Sequence, residues 1–260
     1  MRHRHWKSLA ALCGALLIVG CGQGLTTTPV SASEPRPAPA QPVIPLSGRT
    51  VVIDPGHNGG GAAHPDEINA QVPDGRGGSK PCNTTGTSGN DGYTEHEFNW
   101  DVGQRVRDLL AARGFHVVMS RDSDTGVGPC VDERGTLGNR VGAAAVVSIH
   151  ADGAPAGAHG FHVAYSSPAL NDAQSGPSVQ LATTLRDTMV GAGFTTSTYI
   201  GSDGMNPRAD LAGLNFSEVP TALIECGNMR DPGDAAIIES PDGRARFAQA
   251  IANAIAAYLG

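Results

Sequence analysis

The chain has 260 residues, 40 % of them hydrophobic, enough for one mid-sized domain with a buried core. Its formal charge is −7, and Arg2, Arg4 and Lys7 stand at the very start, so the remainder is more acidic still. No basic cluster is left to hold a phosphate backbone, which speaks against nucleic-acid binding.

The first element is a targeting segment. Its basic start leads into "LAALCGALLIVG" (residues 9–20), an apolar run too short for a comfortable membrane span. The run ends in "IVGC", which resembles a bacterial lipobox with Cys21 as the lipidated residue; a plain secretory signal cut near "SAS" is the alternative. Residues 1–21 are therefore read as an export signal. Residues 22–48 are rich in Thr, Ser, Ala and Pro, cannot bury a core, and read as a linker. The protein is expected outside the cytoplasm, as a membrane lipoprotein facing the wall or periplasm or as a secreted protein. The membrane is reached only through the lipid on Cys21, and a monomer is expected.

From residue 49 to 260 the pattern is that of one domain. "TVVID" (residues 50–54) is a β-branched run and reads as a buried strand. Residues 58–93 are Gly, Asn, Asp, Thr and Pro and read as a long loop. A helix is predicted over 94–113, with Phe98, Val102, Val106, Leu109 and Leu110 on one face and Gly114 as its stop. Strands follow at 115–121, 145–150, 160–165 and 221–226. Helices are predicted at 132–143, at 178–191 with Val179, Ala182, Leu185 and Met189 inward, and at 243–259 with Phe247, Ile251 and Ile255 inward. This alternation predicts an α/β fold: a single three-layer domain, a mostly parallel sheet of about six strands, helices on both faces. Ligand sites in such sheets lie at the carboxyl ends of the strands.

Exported cysteines can pair. Cys82 and Cys130 both lie in loop sequence and are the natural pair, whereas Cys226 ends an apolar run and reads as a buried thiol. Cys226 and Glu225 fall on opposite strand faces, which argues against the thiol as a ligand.

Three strands each deliver a chemically capable residue at a tip: His57 after "VVIDPG", His150 in "VVSIH" and Glu225 in "LIEC". Two imidazoles with a carboxylate suit an open zinc site, and hydrolysis there needs a second carboxylate as general base. The stretch "TEHE" (residues 94–97) is the best source of that second acid. Thr94 and Glu97 have capping-box spacing, which gives Glu97 a structural task. Glu95, in the first turn, leads over His96, which points about 100° further round the helix.

The blocks "VVIDPGHNG", "EHEFN", "VVSIHAD" and "ALIECGN", in that order, resemble the zinc-dependent N-acetylmuramoyl-L-alanine amidases, type 3 catalytic domain, and are most similar to the short actinobacterial cell-wall amidases. The resemblance spans residues 49–260. It implies one Zn2+ per chain held by His57, Glu95 and His150, Glu225 as the catalytic glutamate, and peptidoglycan or its fragments as substrate, cut between the lactyl group of N-acetylmuramic acid and L-alanine. Arg134 and Asn139 read as supporting residues, and Asp152 stands where the family commonly has Asn. His64, His116, His159 and His162 read as bland, with His116 and His162 expected on exposed strand faces. Asp54 and Pro55 are expected to shape the turn that presents His57, and Arg208 and Asp210 to approach substrate.

Overall fold

A computed structural model describes residues 49–260 of the chain. The export signal, the linker and Cys21 lie outside the described residues. Among those described, no helix is long and apolar enough to cross a membrane.

The elements in chain order are β1 (Thr50–Pro55), α1 (Pro65–Ile68), β2 (Gln71–Pro73), β3 (Ser79–Pro81), α2 (Glu95–Ala111), β4 (His116–Met119), α3 (Val131–Val141), β5 (Ala145–Asp152), β6 (His162–Ser166), α4 (Asp172–Ser175), α5 (Pro177–Gly191), β7 (Met205–Arg208), α6 (Ala212–Asn215), β8 (Thr221–Asn228), α7 (Pro232–Ile238) and α8 (Pro241–Leu259). Six strands form one sheet in the order β4-β1-β5-β8-β6-β7, and β2-β3 form a small separate ribbon. β4, β1, β5 and β8 pair in parallel. β6 pairs antiparallel to β8 and parallel to β7. The antiparallel step brings the amino end of β6 beside the carboxyl end of β8, with His162 opposite Glu225.

Strand alternation sorts the sheet into two faces. Val51, Ile53, Val147, Ile149, Ala222, Ile224 and Cys226 pack with Phe98, Val102, Val106 and Leu110 of α2, Leu181 and Leu185 of α5, and Ile251 and Ile255 of α8. Each fully buried Val, Leu, Ile or Phe among them contributes roughly 1.5–3 kcal/mol of hydrophobic stabilisation. Val52 and Val146 face the other way, against Leu137 and Val141 of α3, while Ala164 and Leu223 pack on Leu214 of α6.

Several expectations need amending. Residues 58–93 are not a bare loop but hold a 3-10 turn (Gly61–Ala63), α1 and the β2-β3 ribbon. On α5 it is Leu181, not Val179, that is fully buried with Ala182, Leu185 and Met189. His162 is buried rather than exposed, its ring set against Tyr199; His116 is exposed as expected. Cys82 and Cys130 form the disulfide, and Cys226 is a buried free thiol.

Candidate metal centre

Three side chains converge at the carboxyl ends of β1 and β5. His57 sits just after β1 at φ 58°, a left-handed conformation that costs on the order of 1–3 kcal/mol outside glycine. What holds it there is Arg134, whose side chain is nearly inaccessible. Its guanidinium donates to the His57 carbonyl (2.9 Å), the Pro55 carbonyl (2.8 Å) and Asp54 Oδ1 (2.7 Å). Burial pushes the Asp54 carboxyl up, but Arg134 and hydrogen bonds from Ser120 and Ser148 outweigh it and bring the pKa down to about 2. Asp54 therefore remains an anion that anchors the arginine.

The His57 ring is oriented from behind. Its Nδ1 lies 2.8 Å from the Thr84 carbonyl, to which it can only donate, so Nε2 carries the lone pair. That Nε2 faces Glu95 Oε1 at 3.1 Å. Burial lowers the basicity of His57, yet the Glu95 carboxylate more than compensates and the pKa is raised.

Glu95 is the first residue of α2. Thr94 caps the helix, and Glu97 accepts from the Thr94 backbone N–H (3.1 Å) and hydroxyl (2.6 Å). With Glu97 so occupied, the helix start turns Glu95 inward, where it is 4 % exposed. Its Oε1 lies 2.9 Å from His150 Nδ1, and its Oε2 accepts from the Thr87 N–H (2.9 Å). Burial alone would raise the Glu95 pKa, but His57 and His150 hold it far below the usual carboxylate range. His96 points away and pairs with Asp124 (2.8 Å).

Two glycines are required by close approach. A Cβ on Gly56 would stand 2.0 Å from His150 Cε1, and one on Gly86, at φ 79°, would stand 2.7 Å from Glu95 Oε2. The rings of His57 and His150 meet edge to face with centroids 4.9 Å apart.

One ligand atom from each of His57, Glu95 and His150 lies within 4.8 Å of the others. Tetrahedral N and O ligands about 2.0–2.2 Å from a zinc-sized ion stand roughly 3.3–3.6 Å apart. The two nitrogen-to-oxygen separations, 3.1 and 2.9 Å, are close to that spacing. An imidazole oriented by a carbonyl and a dry, ionised carboxylate fit a divalent cation.

Glu225 on β8 is the register neighbour of His150. Its Oε2 is enclosed and has no hydrogen-bond partner. Burial, with Glu95 and Asp152 nearby, raises its pKa well above the ordinary value. Cys226 faces the opposite core, and burial pushes its thiol up, which removes it as a ligand.

Other expected residues have simpler places. Asn139 donates to the Phe216 carbonyl and accepts from the Glu218 N–H, tying α3 to the segment after α6. Arg208 forks onto Asp210 at 2.7 and 2.6 Å. His64 pairs with Glu67 at 2.8 Å on the exposed first turns, away from the three converging side chains. Sequence reading missed His162, whose imidazole lies opposite Glu225 and edge-on to Tyr199, whose hydroxyl donates to Asp152 (3.1 Å). The placement depends on β6 running antiparallel to β8, a direction that "GFHVAY" itself does not encode.

A parallel-rich α/β sheet with two histidines and a carboxylate at its strand ends, and a second carboxylate beside them, defines a metal-dependent hydrolase. Residues 51–257 match the family model for N-acetylmuramoyl-L-alanine amidases, and the chain belongs to that family. It is an N-acetylmuramoyl-L-alanine amidase, an enzyme that hydrolyses peptidoglycan at the amide between the lactyl group and L-alanine. The chain is 46 % identical over 243 residues to the N-acetylmuramoyl-L-alanine amidase Rv3717 of Mycobacterium tuberculosis, covering 94 % of this chain and 97 % of that one. The crystal structure of an N-acetylmuramyl-L-alanine amidase from Mycobacterium smegmatis superposes with a TM-score of 0.80 at 52 % identity, over 83 % of this chain and 98 % of the other. The apo form of the Mycobacterium abscessus enzyme gives 0.80 at 49 % identity, over 82 % and 100 %.

Proposed function

We propose that the chain is a zinc amidase in which His57, Glu95 and His150 hold one ion and Glu225 moves the proton. The convergence of the three ligand atoms within 4.8 Å supports the ligand set. What zinc would supply there is Lewis acidity toward the scissile carbonyl and toward a water. Glu225 as carboxylate accepts a proton from the attacking water, and as carboxylic acid returns it to the leaving nitrogen of L-alanine. Its enclosed position, which raises the pKa in the metal-free chain, suits a carboxyl that must both take up and return a proton. Arg134 and Thr84 hold His57 in position, and Gly56 leaves room for the His150 ring.

In this reading the enzyme works outside the cytoplasm as a monomer, tethered by a lipid on Cys21. Support comes from the lipobox-like "IVGC" and from a disulfide, which persists in oxidising compartments. The test of the metal is titration of chelator-stripped protein. Activity should rise with added zinc and saturate at one equivalent. Full activity without metal would end the proposal.

A further inference from the structure

His150, Glu225 and His162 are successive register neighbours on β5, β8 and β6. Leu223 and Ala164, two residues away along their strands, belong to the cluster facing α6, so Glu225 and His162 share that face. Residues directly opposite in an antiparallel pair carry Cβ atoms about 4.5–5.5 Å apart. The imidazole and the carboxylate are therefore within reach of each other.

Both have an unmet need. His162 is 1 % exposed, and its Nδ1 has no hydrogen-bond partner; Glu225 Oε2 is enclosed and unpaired as well. Enclosed polar atoms are rarely left so, and two on facing residues point to each other or to a water between them. Among the other groups around Glu225, Tyr199 already donates to Asp152, Asp152 and Glu95 are acceptors, and Arg208 commits two of its N–H groups to Asp210, while His162 is the residue paired with Glu225 in the strand register. Burial brings the His162 pKa down to about 4, with Asp152 raising it and Arg208 lowering it, so at neutral pH the ring is uncharged and holds one N–H.

We propose that His162 is a positioning residue for Glu225: its Nδ1–H donates to Glu225 Oε2, directly or through one trapped water, and keeps the other carboxylate oxygen on the reacting water. This rests on the reading of Glu225 as the proton carrier. His162 stays neutral throughout, and the moving proton passes only between water, Glu225 and the leaving amine. A histidine that merely filled the sheet would tolerate an apolar residue of similar size. A positioning histidine would not, and a neutral side-chain amide would replace it.

The test compares H162L and H162Q in the full, zinc-loaded chain on a defined muropeptide. H162L should lose about 10–100-fold in kcat, the effect of one hydrogen bond to a charged group, with KM within about threefold and zinc content unchanged. H162Q, which keeps an N–H donor, should recover to within about threefold of wild type. Wild-type turnover by H162L, or an H162Q as slow as H162L, would overturn the proposal. Should H162L fail to fold, nitrogen NMR of the zinc-free wild type decides: at pH 7 the His162 ring should be protonated on Nδ1, and a ring protonated on Nε2 would overturn the assignment. E225Q is assayed alongside. If it is inactive while the His162 expectations fail, only the positioning role falls; if it is active, the reading beneath it falls too.

Discussion

Replacing Arg134 by leucine removes the guanidinium that is hydrogen-bonded to Asp54, and with it the bonds to three carbonyls, at Pro129, Pro55 and His57. Both partners are buried, so the variant strands an anion. Removing one member of a buried pair costs about 3–5 kcal/mol. The pH dependence carries a sign that separates this from a simple packing loss. In the wild type the Asp54 pKa is lowered from 3.8 to about 2, so its stabilisation is full above the unfolded pKa and is lost as pH falls from about 4 to 2. That linkage amounts to about 2–3 kcal/mol. Without Arg134, burial is opposed by Ser120, Ser148 and the weaker pull of His150, and the carboxyl shifts upward. The variant should then lose stability as pH rises through the carboxylate range, opposite to wild type. Urea unfolding of zinc-free protein, followed by Trp100 fluorescence at about pH 2.5, 4, 5.5 and 7, reads both effects. Adding D54N to R134L should restore at least half of the loss. A loss under about 1 kcal/mol, or no rescue by D54N, would refute the reasoning.

Three further outcomes follow from the geometry. Glu95→Ala should abolish zinc binding measured by elemental analysis, whereas His96→Ala, which loses only its Asp124 partner, should keep it; the reverse pattern would mean that "TEHE" has been divided wrongly. Cys82→Ser with Cys130→Ser should cost about 4 kcal/mol in chemical denaturation, the entropy of a loop with a sequence separation of 48 residues, and a cost near zero would show that the bridge constrains nothing. Gly56→Ala drives a methyl to 2.0 Å from His150 Cε1, and zinc affinity by competition titration should fall about 10–100-fold; unchanged affinity would contradict the close approach.

Much of the site was legible because its residues sit where strand and helix periodicity put them. Three apolar runs ended in His57, His150 and Glu225, and parallel strands bring such ends together. Glu95 was separable from its neighbours because Thr94 and Glu97 have the spacing of a cap. What escaped depended on direction or on short elements. "GFHVAY" alternates apolar and polar residues, which suggests one wet face, and nothing local to it says that the strand runs against β8. That reversal places His162 opposite Glu225 instead of at the far edge. β7, α4 and α6 span four residues each, too few for a period to register. α7 starts at a proline after Asp231, a cap signal passed over beside the stronger helix that follows.

The most direct test is mass spectrometry of muropeptides digested by zinc-loaded wild type and by E225Q. Wild type should release glycan ending in a free lactyl carboxyl together with stem peptides bearing a free L-alanine amine, while E225Q, carrying the same zinc, should release neither. Cleavage at another bond of the stem, or undiminished release by E225Q, would contradict the assignment of Glu225 and of the bond it serves.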